Sequence, residues 1–272
     1  MTEKKPKKKK KAGDIILTLV LVVAIGVFCY AAYNLYHIYT EYKKGTDEYN
    51  KIAQMAVTER APDEIQEELP GEETGQTLTP PMNIDFNALK AVNEDVIGWI
   101  YVEGIPDINY PVVQGENNDT YLHTTYEKNY NFAGAIFVDY ENSPDFSDCN
   151  TLVYGHNMKN GSMFGKLKEF VSKPEIYAKS KYFWIFTPKE IYRYEIISAY
   201  TTAVDSITYT LFKGPGEEFE QYLQTIKGYS ELQTDPVETG VMDKIITLST
   251  CTGNDATRFV VQGKRTDTIL AQ

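Results

Sequence analysis

The sequence has little cysteine, with three residues among 272, at Cys29, Cys149 and Cys251. Three thiols cannot all pair, and Cys29 falls within a long hydrophobic run, so the sequence does not indicate a disulfide framework. Only Cys149 and Cys251 could form a bridge within the globular part of the chain. We expect both thiols to be free, since a bridge would remove the Cys251 thiol, which is a candidate nucleophile.

Histidine is equally scarce, with three residues at His37, His123 and His156. They are too few and too scattered for the ligand spacing of a zinc site, and we expect neither a metal nor a cofactor. Acidic residues alone do not indicate a calcium site. The scarcity also narrows the search for a general base, because imidazole is the side chain most often used in that role.

Basic charge is concentrated at one end of the chain. The net charge is −11, yet the first 14 residues hold seven lysines against Glu3 and Asp14. The remainder is therefore strongly acidic. This argues against a nucleic-acid partner, because such binding depends on neutralising phosphates, and against a domain that lies flat on an anionic leaflet.

One long hydrophobic run, 15–33, is interrupted only by Thr18 and is close to the ~20 residues needed to span a bilayer. The basic tail before it and the tyrosines after it predict a single-pass cell-membrane anchor with a cytoplasmic N-terminus and an extracellular globular domain. A cleaved signal peptide is the alternative, although its apolar core is normally shorter. The predicted organisation is a cytoplasmic tail at 1–14, a transmembrane anchor at 15–36, a stalk and acidic linker at 37–82 and a globular domain at 83–272, to which the motifs that follow assign the catalytic role.

Helical segments are few in the predicted globular domain at 83–272. Asp85 is expected to cap a short helix, and residues 217–227 have the apolar spacing of an amphipathic helix. Residues 162–171 also have helical spacing, with Ser162 as the cap. The helices are therefore expected to be peripheral to another kind of core.

Short apolar β runs separated by turn residues make up most of this domain, which predicts a mainly β fold, either a barrel or a sandwich. Pro111 predicts that its strand lies at a sheet edge, because proline cannot donate to a ladder. The predicted strands are 96–102, 109–113, 133–139, 151–154, 182–187, 190–200, 245–251 and 258–264.

Cys251 ends a predicted strand and is followed seven residues later by Arg258 on the next strand. A permanent positive charge favours a thiolate and can hold a developing oxyanion, so the pair suits a nucleophile. His156 also follows an apolar strand, in a glycine-containing loop. If these strand ends meet, the three residues form a Cys/His/Arg site. A buried structural cysteine, an ordinary loop histidine and an ion-paired arginine are the alternatives.

Three motifs occur in an order that resembles the sortases, the cysteine transpeptidases of Gram-positive cell surfaces. Residues 247–251 (TLSTC) resemble the TLxTC signature, residues 154–158 (YGHNM) the histidine segment and residues 257–261 (TRFVV) the arginine strand. Class B is favoured by the AGxIFxDYxN-like stretch at 133–142. The acidic stretch at 216–227 fits the helix that class B inserts late in its barrel.

The resemblance implies a closed eight-stranded sortase-type β-barrel with a few peripheral helices, preceded by a transmembrane helix. It implies cleavage of a C-terminal sorting motif of surface proteins, of the LPxTG or NPxTN kind, through a thioester on Cys251. The acyl group then passes to an amine of a peptidoglycan precursor or a pilin subunit. His156 matches the acid/base and Arg258 the substrate-orienting cation. Ser249 matches a position that lines the class B groove, and Ser249 and Thr250 are assigned to substrate binding.

The chain departs from the class B pattern after its cysteine. Arg258 follows Cys251 by only seven residues, and no acid stands two residues after Cys251, where class B enzymes can carry one. Asp255 is the candidate replacement. His123 is expected to lie at the surface or to support the site without a catalytic role.

Two other functions are alternatives to transpeptidation. A cell-wall cysteine hydrolase would use the same thiol, but such peptidases place cysteine before histidine in the chain, and here His156 precedes Cys251. A non-catalytic surface module that binds a peptide would leave the thiol unused.

Overall fold

The computed structural model describes residues 12–60 and 78–271. The chain separates into two units at the boundary between Lys44 and Gly45. Most of the predicted basic tail and most of the predicted acidic linker lie outside the described residues. The second unit holds the predicted catalytic domain together with the end of the first helix.

One long helix, α1 (Ala12–Ala56), opens the described part of the chain. Within that part it is the one helix long and apolar enough to cross a membrane. A signal sequence can have the same length and apolar composition. Its large apolar side chains between Ile15 and Tyr39 are exposed. The helix continues into the predicted stalk because residues 37–56 contain no proline and a single glycine, Gly45.

The last turns of α1 belong to the second unit and bury one face. Tyr49, Ile52 and Ala56 recur at helical spacing and are at most 5% exposed. A short strand, β1 (Val57–Glu59), follows and pairs antiparallel with β2 (Met82–Ile84).

The helices of the second unit are short. The carboxylate of Asp85 accepts hydrogen bonds from the backbone N–H groups of Asn87 and Ala88, at 3.0 and 2.9 Å, which confirms the predicted cap. The helix predicted at 217–227 is also confirmed, and its apolar face is buried. These helices are α2 (Phe86–Val92), α3 (Glu169–Ser172), α4 (Pro174–Lys179), a 3-10 helix (Ile207–Tyr209) and α5 (Glu217–Gly228).

The helix predicted at 162–171 is wrong over most of its length. Residues before Glu169 form turns and an isolated bridge, and the helix that starts there has no side-chain cap. Met163 has a φ of 54°, and its N–H donates to the hydroxyl of Tyr110 at 3.1 Å. A tertiary hydrogen bond and a left-handed residue therefore replace the first helical turn.

Eight further strands within the described residues close a barrel. They are β3 (Val96–Val102), β4 (Asn109–Val113), β5 (Ile136–Val138), β6 (Asn150–Tyr154), β7 (Tyr182–Phe186), β8 (Glu190–Ala203), β9 (Ile245–Cys251) and β10 (Thr257–Leu270). Their order is β10-β8-β7-β3-β4-β5-β6-β9, and β9 pairs with β10 to close the ring. The predicted eight-stranded barrel is confirmed.

The strand that contains Pro111 lies between β3 and β5 in the barrel, so the prediction of an edge strand is wrong. Pro111 faces Trp99 of β3, while the pairing of β4 with β5 begins only at Val112. The hydrogen bonds between β4 and β5 therefore do not require a backbone N–H donor at position 111, which proline lacks.

The order of the strands determines where the site lies. β6 and β9 are parallel neighbours, so their C-terminal ends meet at one edge of the barrel. β10 is antiparallel to β9 and begins at that same edge. Three segments that are distant in sequence therefore meet at one end of the barrel.

Candidate active site

Cys251 and Arg258 lie directly opposite each other in the antiparallel pair of β9 and β10. Side chains of directly opposed residues lie on the same face of a sheet. The turn between them includes Gly253, whose φ of 91° suits glycine. The short interval between the two residues thus still brings the thiol and the guanidinium to one face.

The Arg258 guanidinium binds the turn that precedes it. Its Nη1 donates to the carbonyl oxygens of Asp255 and Thr257, at 3.0 and 2.9 Å. Asp255 therefore contacts Arg258 through its backbone carbonyl, and among the described residues no carboxylate forms a salt bridge with this arginine. The remaining N–H groups of the guanidinium fork can serve a substrate oxygen.

His156 reaches the same edge through β6. The N–H of Gly155 donates to the carbonyl of Ser249 at 3.1 Å, which extends the parallel ladder by one residue beyond β6. The next side chain along, Asn157, donates from Nδ2 to the carbonyl of Cys251 at 2.7 Å. The backbone of His156 lies between these two contacts, so the three residues of the predicted Cys/His/Arg site share one edge of the barrel.

Two residues of one loop contact the His156 imidazole. Nε2 lies 2.6 Å from the Leu122 carbonyl oxygen, and since a carbonyl only accepts, Nε2 carries the proton and Nδ1 is left free in the neutral ring. The ring of His123 stacks on the imidazole with centroids 5.5 Å apart and planes 16° apart. His123 is itself exposed, as expected of a residue at the surface that supports the site.

The pKa of His156 is lowered from its ordinary value. Burial of the ring is the main cause, since it disfavours the charged form, and the nearby His123 lowers the pKa further. The hydrogen bond to Leu122 acts in the opposite direction and raises it. The balance favours a neutral imidazole near neutral pH.

Ser249 lies two residues before Cys251 on β9, and so on the same face of the strand. Its Oγ is 2.8 Å from the hydroxyl of Tyr209. Burial raises the pKa of the Tyr209 phenol; the Ser249 hydrogen bond and the charge of Arg258 lower it, and Cys251 raises it. Tyr209 therefore lies close enough to Arg258 and Cys251 for their charges to affect its pKa. The sequence does not identify Tyr209 as a site residue, because nothing distinguishes it among 21 tyrosines.

Thr250 occupies the alternate position on β9. It pairs with Phe259 of β10 and borders a cleft of about 260 Å³ that also reaches Cys251 and Asn157. Its hydroxyl is buried and has no hydrogen-bond partner among the described residues. Its assignment to substrate binding stays a prediction.

Cys149 and Cys251 are both free thiols. Cys149 is fully buried, with its sulfur 3.6 Å from Nζ of Lys244, whereas Cys251 is half-buried at the barrel edge. Among the described residues, no cluster of three or more histidine, cysteine, aspartate or glutamate side chains has the arrangement of a metal site.

The Sortase domain family model matches residues 100–266. Sortase B of Listeria monocytogenes is 37% identical over 183 residues, which cover 66% of this chain and 73% of that protein. Sortase B of Staphylococcus aureus is 30% identical over 239 residues, covering 86% of this chain and 89% of that one.

Solved structures show the same similarity. A complex of Staphylococcus aureus sortase B with substrate has a TM-score of 0.62 and 31% identity, and the match covers 67% of this chain and 84% of that one. A structure of sortase B complexed with triglycine has a TM-score of 0.61 and 31% identity, over 69% of this chain and 86% of that one.

Proposed function

This chain belongs to the sortase family of cysteine transpeptidases, in its class B, and on that premise we propose that it cleaves a C-terminal sorting motif of surface proteins. The motif is of the LPxTG or NPxTN kind, and the acyl group passes to an amine of a peptidoglycan precursor or a pilin subunit. The solved sortase B complexes with a substrate and with triglycine support, by similarity, a peptide donor and an amine acceptor.

Cys251 is proposed as the nucleophile, His156 as the general acid/base and Arg258 as the cation that orients the substrate. One observation supports this most directly: Cys251 lies opposite Arg258, and the neighbour of His156 donates to the Cys251 carbonyl. Three residue types that acyl transfer requires thus share one edge of the barrel. Ser249 and Thr250 are proposed to bind the donor peptide.

The chemistry proceeds in two steps. Neutral His156 takes the thiol proton of Cys251 at Nδ1 as the sulfur attacks the carbonyl carbon of the motif's threonine, and Arg258 holds the resulting oxyanion. Protonated His156 gives its Nδ1 proton to the departing amine as the C–N bond breaks, which leaves a thioester. The acceptor amine then attacks the thioester, its proton moves to Nδ1, and the sulfur leaves with an amide product formed. The same imidazole nitrogen serves both steps because Leu122 occupies the other.

We place the protein at the cell membrane as a single-pass protein with a cytoplasmic N-terminus and an extracellular catalytic domain. The long apolar helix α1 supports the anchor, and the lysines before it support this orientation. The proposed parts are the tail 1–14, the anchor 15–36, the stalk and linker 37–82 and the catalytic domain 83–272.

Mass spectrometry of peptide reactions tests this function. The full chain in detergent is incubated with LPxTG-type and NPxTN-type peptides and with candidate amines, including a glycine peptide. Cleavage after threonine with transfer to the amine is expected, and Cys251→Ala should abolish both reactions while remaining folded. Undiminished transfer by Cys251→Ala would refute the proposal, and release of free acid despite abundant amine would indicate a hydrolase instead.

A further inference from the structure

The hairpin 121–135 supplies both neighbours of the His156 imidazole. The Leu122 carbonyl accepts its Nε2 proton, and the ring of His123 stacks on it. Backbone hydrogen bonds close this hairpin, among them one from Asn131 N to His123 O at 3.0 Å. The orientation of the imidazole therefore depends on where the hairpin holds the Leu122 carbonyl.

Gly134 sets the position of that carbonyl. It has a φ of 56°, and a Cβ added there would overlap the Leu122 carbonyl oxygen and lie 2.7 Å from that of Tyr121. Any side chain would displace one of these oxygens or the backbone that carries them. The Leu122 carbonyl can thus reach His156 only because its neighbour across the hairpin has no side chain.

Tyr49, in the last turns of α1, holds Gly134 from the other side. Its hydroxyl donates to the Gly134 carbonyl at 2.7 Å and accepts from the N–H of Tyr126 at 3.3 Å. Burial raises the pKa of the Tyr49 phenol, so it remains a donor across the physiological range. Its ring packs edge-on against Tyr110 with centroids 5.3 Å apart, which fixes the direction of the hydroxyl.

Further contacts join α1 to the same hairpin. A carboxylate oxygen of Glu48 accepts from the N–H of Glu127 at 3.0 Å, and Lys51 forms a salt bridge with Glu127 at 3.2 Å. The salt bridge is exposed and weak, whereas the Tyr49 hydroxyl is buried. Of these three contacts, the buried Tyr49 hydroxyl is the one that can fix the hairpin most firmly.

We propose that Tyr49 is a positioning residue for His156: its hydroxyl fixes Gly134, and Gly134 fixes the Leu122 carbonyl that holds the imidazole at Nε2. The inference rests on the proposed role of His156 as general acid/base. A residue of α1 thereby determines which imidazole nitrogen is free for catalysis.

Nitrogen NMR of the full chain in detergent, with labelled histidine, tests this directly. Neutral His156 in the wild type should be the Nε2–H tautomer, with a slowly exchanging proton. Tyr49→Phe removes only the hydroxyl and should produce a mixture of tautomers with faster exchange. Its kcat for transfer should fall about tenfold with KM little changed, because misplacement of a catalytic group mainly affects the chemical step.

Tyr192→Phe is the matched control. Tyr192 is also buried, and its hydroxyl donates to Glu190 at 2.6 Å near the start of β8, away from the hairpin. This variant should leave the tautomer and kcat unchanged. Gly134→Ala, which displaces the Leu122 carbonyl directly while the Tyr49 hydroxyl is retained, should produce the same mixture of tautomers and a larger fall in kcat than Tyr49→Phe.

Two results would overturn the proposal. One is an Nδ1–H tautomer of His156 in the wild type, and the other is a Tyr49→Phe variant that matches Tyr192→Phe in both tautomer and kcat. The NMR reading does not depend on transpeptidation. A tautomer that responds to Tyr49→Phe in a protein that transfers no peptide would refute the proposed function alone.

Discussion

Arg258 faces Cys251 across the β9–β10 pair, yet its guanidinium donates to the carbonyls of Asp255, in the preceding turn, and Thr257, the first residue of its own strand. Backbone carbonyls fix the guanidinium without neutralising its charge. An arginine in a salt bridge would have to lose a carboxylate partner before it could bind an oxyanion. The arrangement therefore keeps a full positive charge beside the thiol.

Replacing Arg258 with alanine should reduce kcat/KM for sorting-motif peptides by about 10²–10³, the cost of losing one oxyanion donor. Arg258→Lys should retain part of the activity, because it keeps the charge but loses the planar fork. Steady-state kinetics with a fluorogenic donor peptide measures both variants.

Arg193→Lys is the matched control for Arg258→Lys, because it makes the same change of side chain at a different place. Arg193 forms its salt bridge with Asp267 on β10, far from Cys251. This variant should keep wild-type kinetics. An Arg258→Ala variant as active as Arg193→Lys would show that the guanidinium does not act in the reaction.

Removing the hydroxyl of either Ser249 or Tyr209 should raise KM for the donor peptide by about fivefold, equivalent to one hydrogen bond of ~1 kcal/mol. The two hydroxyls bond each other at 2.8 Å beside Cys251, so each orients the other on the proposed groove face. Ser249→Ala and Tyr209→Phe should be far from additive in the double variant. Independent, multiplicative effects would contradict a shared role.

Stability should fall as pH decreases through the range of histidine titration, in part because of His156. Its pKa in the folded protein lies below the unfolded value of about 6.5, so the unfolded chain takes up the proton first. This contribution is fully present above the unfolded pKa and is lost as pH falls toward the folded pKa. Thermal unfolding between about pH 7.5 and 5.5 should show a shallower decline for His156→Gln than for the wild type.

His123→Gln tests the cause of that shift. It removes a neighbour that lowers the pKa of His156 but leaves the other groups that bury the ring, so the pH dependence of its melting temperature should lie between those of the wild type and His156→Gln. Identical slopes for wild type and His156→Gln would mean that His156 does not resist protonation in the folded protein.

Gly155→Ala should destabilise the barrel by about 1–3 kcal/mol, the usual cost of overpacking a core. A Cβ at Gly155 would lie 2.5 Å from Cδ1 of Ile136 and 2.7 Å from Cδ2 of Phe164. Gly240→Ala is the matched control, because a Cβ there meets no atom within 4 Å. Urea unfolding of the two variants should separate them clearly, and equal midpoints would contradict the packing described at Gly155.

Local patterns predicted some elements well and others poorly. Residues 96–102, 109–113 and 245–251 were predicted as strands with the bounds that the structure has, because their β-branched and apolar residues lie between clear turn signals. The helix predicted at 162–171 is absent over most of that range because Met163 gives its N–H to Tyr110, a residue of strand β4. The spacing of apolar residues within the segment cannot predict a hydrogen bond to a residue distant in sequence.

The sequence alone determined the motifs, the class of chemistry and the apolar helix, since all of these depend on residue types at short spacing. Only the tertiary structure decided that β6 and β9 are parallel neighbours, and so that the segment of His156 and Asn157 reaches the barrel edge where Cys251 lies. It also decided that Tyr209 and Leu122 support the site. These contacts join residues far apart in the chain, and they form only when the closed barrel fixes the order and register of its strands.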